Sequence, residues 1–162
     1  MGTQPSGAPT HNPHGHGQHV NDTPTAQITE LLHRYARLLD AGDFAGVAAM
    51  FTEAAILVNG QVIGTGTDFV ESMLTDSIIV YADGTPRTRH VITHPAIDLA
   101  ATDRATADSQ YTVLQASPTG ENVVMVGRHH DTLALRHGIW NFTTRDYGDI
   151  TYTSDTSHHL RY

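Results

Sequence analysis

The chain has 162 residues, 39% of them hydrophobic, and a formal charge of −8. That is enough for one domain with a sizeable core, and so acidic a chain is a poor match to a phosphate backbone, so no nucleic-acid partner is expected. There are no cysteines and no lysines, and all nine basic residues are arginines, which excludes disulfides, thiol catalysis and lysine Schiff-base chemistry. No apolar run approaches the roughly 20 residues of a membrane span, and no apolar h-region of a secretory signal stands near the start. The expectation is therefore a cytoplasmic protein without a membrane partner. Histidine is the conspicuous type, with twelve residues.

Residues 1–24 are rich in Gly, Pro, Thr, Asn and His and nearly free of aliphatic side chains. They cannot bury enough apolar surface to offset their ordering entropy and read as a disordered tail. Its histidines His11, His14, His16 and His19 could hold a metal loosely, but such tracts are compositional signals and a solvated tail is the simpler reading. From 25 to 40, Ile28, Leu31, Leu32, Tyr35, Leu38 and Leu39 recur at helical spacing, which predicts an amphipathic helix with Thr25 as N-cap and Gly42 just past its end. Asp40 then sits at the C-terminal end, where the helix dipole disfavours an anion. A short helix over 44–51 follows, capped by Asp43, with Val47, Met50 and Phe51 inward. Stretches 54–59 and 61–64 flank Gly60 as a hairpin. A third helix runs from Thr67 to about residue 78, with Phe69, Val70, Met73 and Leu74 inward, and 81–86 is a loop turning at Asp83-Gly84.

The remainder reads as β: strands over 87–99, 105–115, 122–135 and 139–147 joined by short turns, then a weakly periodic extension at 149–162. Helices that precede an antiparallel meander imply an α+β fold with the helices on one face of the sheet. The first long strand, RTRHVITHPAIDL, places Thr88, His90, Ile92, His94 and Ala96 on one face. On 122–135 the face Val123, Met125, Gly127, His129, Asp131, Leu133 and Leu135 is the more apolar, and on 105–115 it is Ala105, Ala107, Ser109, Tyr111 and Val113. Trp140 and Phe142 share a face of the last strand. A single β-bulge inverts any such assignment beyond it. The inward polar set is then His90, His94, Tyr111, His129 and Asp131, joined by Asp40 and Tyr35 from the first helix. An imidazole within reach of a carboxylate is the usual acid–base pair.

In order and spacing, YARLLDAGDFAGVAAMF (35–51), TRHVITHPAIDL (88–99), ATADSQYTVL (105–114) and VGRHHDTLALRHGIWNFTTRDY (126–147) resemble the SnoaL-like branch of the nuclear-transport-factor-2-like superfamily, over residues 25–148. The resemblance implies a conical barrel: a strongly curved antiparallel or mixed sheet wrapped around three N-terminal helices, with an internal pocket. Members include polyketide cyclases, scytalone dehydratase, ketosteroid isomerase and limonene epoxide hydrolase, but also binding and subunit proteins, so fold alone does not fix function. Asp40 and His90 lie where members place a pocket aspartate and histidine. His94 stands where asparagine is frequent, and His129 and Asp131 fall on a strand that commonly supplies a further pocket acid or polar group. No arginine completes the Asp-Arg-Asp arrangement of the epoxide hydrolase.

Each of these residues also has a plain structural reading. Asp40 could serve only its helix end, His90 could be a core histidine bonded to a carbonyl, His94 could lie at a strand edge, and Asp131 could tie its strand to Arg145. Tyr35, Tyr81 and Tyr111 could donate to a substrate oxygen or line the core. Same-face histidines four apart on a strand are about 13 Å apart, so His90 and His94 cannot share an ion without a bulge, and no metal or cofactor is expected. The expected activity is cofactor-independent acid–base catalysis (cyclisation, isomerisation or dehydration) on a small, largely apolar oxygenated substrate, by analogy in secondary metabolism. His90 paired with Asp40 would move the proton; His129 or a tyrosine would hold the substrate oxygen; Asp131 would be a second acid or orienter. Ile92, Met125, Leu74 and Phe69 would shape the pocket. The alternative is a non-catalytic ligand-binding or oligomerisation module. Under either, a homodimer through the outer sheet face, at Val91, Val124 and Val126, is expected.

Overall fold

The computed structural model describes Met1 and residues 23–162, except for the side chain of His94; the histidines of the N-terminal tail lie outside the described residues. Helix α1 (Pro24–Asp40) is capped two residues earlier than expected, because Thr23 rather than Thr25 accepts the Ala26 N–H and Pro24 fills the first turn. Ile28, Leu32, Tyr35 and Leu39 form its buried stripe. Gly42 ends it at φ +75°, and a Cβ there would stand 2.4 Å from the Gly84 carbonyl oxygen. Only glycine lets the 42–43 turn press onto the loop that leads into the first long strand, and this sets the end of α1 beside that strand. Helix α2 (Phe44–Ala48) is capped by Asp43, as expected, and runs into a 3₁₀ turn ending at Phe51.

Strands β1 (Ala55–Val58) and β2 (Gln61–Thr65) form the hairpin. Asp146 closes it from a distant strand by accepting the N–H groups of Asn59 and Gly60. Helix α3 (Gly66–Ser77) begins just after Thr65 without a side-chain cap, so Thr67 lies inside the helix instead of capping it. Val70 and Leu74 are its buried residues. The long strands are β3 (Thr88–Ala101), β4 (Arg104–Ser117), β5 (Gly120–Arg136) and β6 (Ile139–Thr153). They make one mixed sheet in the order β2-β1-β6-β5-β4-β3, antiparallel except where β1 runs parallel to β6. The α+β class is as expected. The sheet curves without closing, and β2 and β3 remain its edges. No helix among the described residues is long and apolar enough to cross a membrane.

Bulges decide which residues face inward. Leu114 pairs with Val123 and Val113 with Met125, which leaves Val124 as the extra residue of β5. Val124 is therefore buried and Val123 exposed, the reverse of strict alternation, and Val124 is lost from the outer face where a dimer contact was expected. A second shift pairs Thr132 with Thr144 but Leu133 with Phe142, so Phe142 and Arg145 both point inward although their parity differs. A third falls at His94-Pro95 in β3 and turns Ile97 against the core. Strand β6 passes the expected end at 147 by six residues, and residues 156–161 return to pack on the end of α3, where Leu160 bridges Ile78. The weakly periodic extension is thus part of the packed structure.

Candidate active site

Asp40 ends α1 and meets edge strand β3. An edge strand carries N–H groups with no strand to receive them, and Asp40 takes one: His90 N–H donates to its Oδ2 at 2.8 Å. Thr88, two residues earlier on the same face, donates its hydroxyl to Oδ1 at 2.9 Å. His90 Nδ1 stands 2.5 Å from the same Oδ1. A carboxylate already receiving two donors accepts there too, so Nδ1 carries the proton and Nε2 is left as the lone-pair nitrogen. These contacts account for a carboxylate at the wrong end of a helix dipole: three donors replace what the dipole withholds. The His90 side chain is 7% exposed and Asp40 23%.

His90 is one wall of a cavity of about 190 Å³ between α1, α3 and the sheet. Leu39, Met73, Leu74, Ile78, Val113 and Met125 make most of it apolar. Tyr35, Tyr111, Tyr147 and His129 gather on another part of the wall. The His129 ring stacks on Tyr111 at 4.4 Å and meets Tyr147 and Tyr35 edge-on at 5.4 and 5.8 Å. Burial first, and the Arg145 charge second, hold this imidazole well below the usual histidine range, so it is neutral. Its Nδ1 has no partner among the described residues. Tyr35 and Tyr147 join hydroxyls at 2.9 Å. Burial pushes the Tyr111 phenol up to about 12 and the Tyr147 phenol well above its ordinary value, so both stay protonated donors. Gly127 makes room here, since a Cβ on it would sit 2.5 Å from the Tyr111 oxygen.

Behind the tyrosines, Arg145 Nε and Nη2 each reach an Asp131 oxygen at 2.7 Å, and neither side chain is exposed. The guanidinium lies 4.2 Å from the Tyr35 ring centre and 4.7 Å from that of Phe142. Burial raises Asp131 above the usual carboxylate range even though Arg145 pulls the other way. Burial pushes Arg145 down, but the Asp131 charge outweighs it and the guanidinium stays firmly charged.

Of the residues singled out from sequence, the structure brings Tyr35, Leu74, His90, Tyr111, Met125 and His129 to the cavity, with Asp40 bonded behind His90. Asp131 does not line it: the ion pair takes both its oxygens, which leaves no free acid and makes it a support for Arg145. Tyr81 is also elsewhere, donating to the His158 carbonyl at 2.7 Å and carrying Arg87 over its ring. Phe69 lies against Gly64. Ile92 packs between the two core clusters. The His94 side chain is outside the described residues. The sequence reading missed Tyr147 and His159 on the cavity wall. Tyr147 lies past the β6 bulge, and His159 stands in a stretch without periodicity, so only the recurrence of histidine and tyrosine hinted at either.

No curated protein matches the chain. The sequence pattern of the SnoaL-like domain matches residues 23–146. The chain belongs to the SnoaL-like family. Solved structures similar to this SnoaL-like chain include an NTF2-like protein with a cystatin-like fold from Novosphingobium aromaticivorans (16% identity, 80% of this chain and 84% of that one, TM-score 0.66). A candidate scytalone dehydratase from the same organism is 21% identical over 81% of this chain and 86% of its own, with TM-score 0.64. A single-site variant of Rv3472, a protein of unknown function from Mycobacterium tuberculosis, is 24% identical over 75% of this chain and 69% of its own, with TM-score 0.63. At these identities the likeness is one of fold, and the SnoaL-like cavity must be read from its own residues.

Proposed function

We propose that this protein is a cofactor-independent acid–base enzyme, a cyclase, isomerase or dehydratase, acting on a small, largely apolar oxygenated substrate. The observation that carries this is the Asp40–His90 pair, with Nδ1 at 2.5 Å from the carboxylate and the ring on the cavity wall. Asp40 fixes the tautomer and leaves Nε2 as the nitrogen free to take a proton. Nε2 takes a proton from carbon or oxygen, and the imidazolium so formed faces Asp40 and returns that proton to the substrate or to a leaving hydroxyl. The charge that develops on the substrate oxygen needs donors, and the wall offers the Tyr111 hydroxyl and one hydroxyl of the hydrogen-bonded Tyr35–Tyr147 pair. Apolar lining keeps water away and raises the strength of each of these interactions.

Proton transfer can be tested before the natural substrate is known. A panel of enolisable cyclic ketones and β-hydroxy ketones is incubated in D₂O and followed by proton NMR. Enzyme-dependent exchange or elimination on at least one member, lost in His90→Ala, is the expected result. Binding of panel members with no exchange above the buffer rate would favour the non-catalytic ligand-binding reading.

A further inference from the structure

We propose that His159 is a substrate-contacting residue, hydrogen-bonding a hydroxyl or carbonyl oxygen of an uncharged, ring-bearing ligand that lies beside His90. The inference rests on the acid–base reading only for the name substrate; the ligand contact stands without it.

His159 belongs to the C-terminal return, which is held by a dense set of hydrogen bonds. The His159 carbonyl accepts Ile79 N–H at 2.9 Å, its own N–H goes to Thr156, and Arg161 N–H goes to Ser77. Arg161 Nη1 adds a bond to the Thr75 carbonyl, and Tyr81 donates to the carbonyl of His158. Backbone bonds on both sides of residue 159 therefore pin it to the end of α3 and the loop beyond. The side chain thus delivered is 4% exposed, lines the cavity, and sets its ring 6.5 Å from that of His90 at 61°.

A side chain needed only to fill this space would be apolar. The imidazole instead brings a polar ring to a largely apolar wall and leaves its Nδ1 buried without a partner among the described residues, which costs stability that an apolar side chain would not. Burial, with the neighbouring His90 adding to it and Asp40 opposing, brings its pKa down to about 4, so at neutral pH it is an uncharged donor and acceptor. The cavity offers an anionic ligand little: the chain has no lysine, Arg145 is bound to Asp131, and Asp40 stands behind His90. Rings of tyrosine and aliphatic walls suit a flat apolar body. A neutral hydroxylated ring meets all of these conditions.

The test uses a matched pair of probes, 2-naphthol and naphthalene, titrated into the full-length protein by NMR. Wild type should bind the naphthol roughly three- to tenfold tighter, the worth of one net hydrogen bond. His159→Phe should bind both probes equally, and His159→Gln should regain most of the preference. His159→Ala serves as the second non-bonding variant should the phenylalanine variant not fold. A preference for naphthol that survives in the non-bonding variants, a wild type without preference, or a wild type that binds neither probe would each overturn the assignment. Neither probe needs to react, so a failed turnover test and a failed binding test are separate results.

Discussion

His129 and His130 are adjacent on β5, and the sheet sends them to opposite fates. His129 faces the cavity, 3% exposed, ringed by three tyrosines and neutral. His130 faces solvent with its side chain 46% exposed, its Nδ1 2.6 Å from Asp108 on β4 and its Nε2 3.0 Å from Asp149 on β6. Those two hydrogen bonds raise its pKa. The pairing also differs along the sheet: inside, Asp131 and Arg145 are paired with neither side chain exposed; outside, Arg128 and Asp149 make a loose 3.6 Å pair partly in solvent. For the two histidines side-chain type says little about proton affinity, and facing decides it.

The largest effect is expected of Asp131→Ala. It leaves Arg145 charged, buried and alone, and should cost about 3–5 kcal/mol in chemical denaturation. Asp131→Leu together with Arg145→Met should recover most of that, because it removes both charges; a loss below about 1 kcal/mol for Asp131→Ala would place water or another anion at Arg145. Next comes His90→Ala, expected to lower turnover by at least about 10²-fold, or roughly 2.7 kcal/mol of barrier, while the fold stays intact by circular dichroism.

The two β5 histidines should give stability profiles of opposite sign. His129 has a folded pKa below its unfolded value near 6.5, so below pH 6.5 the unfolded chain binds a proton that the native state refuses. Stability falls with pH there by at most about 1.4 kcal/mol per unit, and His129→Phe should flatten that acid limb. His130 has a raised folded pKa. Its contribution is complete below pH 6.5 and is lost as pH rises through the folded value. As a half-exposed pair it is worth under about 1 kcal/mol, and His130→Ala should remove only this small alkaline loss. Melting curves from pH 5 to 8 read both, and equal slopes in the two variants would contradict the assignment of faces.

Two simple periods placed the members of the dyad, and the family resemblance, with a pocket aspartate and histidine at these positions, singled them out. Helical spacing puts Asp40 at the end of α1, and alternation sets Thr88 and His90 on one face of β3, before that strand's bulge. The same alternation gave Tyr111, Met125 and His129 their facing correctly. It failed at Val124, where one extra residue reverses β5, and beyond Thr143 in β6, which hid Tyr147. Bulges leave no mark in side-chain type that a periodic reading detects. His159 was out of reach for another reason: backbone hydrogen bonds to Ile79 and Thr156 place it, and such bonds need no side-chain pattern. Asp131 was legible as two alternatives, and only the bidentate geometry decided for the ion pair.

The proposed chemistry needs Asp40 and His90 to act as one acid–base unit, and Asp40→Asn removes the carboxylate alone. The amide keeps the size of the carboxylate and one accepting oxygen, enough for the His90 N–H on one side or for Thr88 on the other, but it cannot stabilise an imidazolium. Turnover on whichever panel substrate the wild type converts, measured beside a thermal melt, should fall by at least about 10²-fold with little change in melting temperature. Wild-type turnover in a folded Asp40→Asn protein would mean that His90 works without its carboxylate.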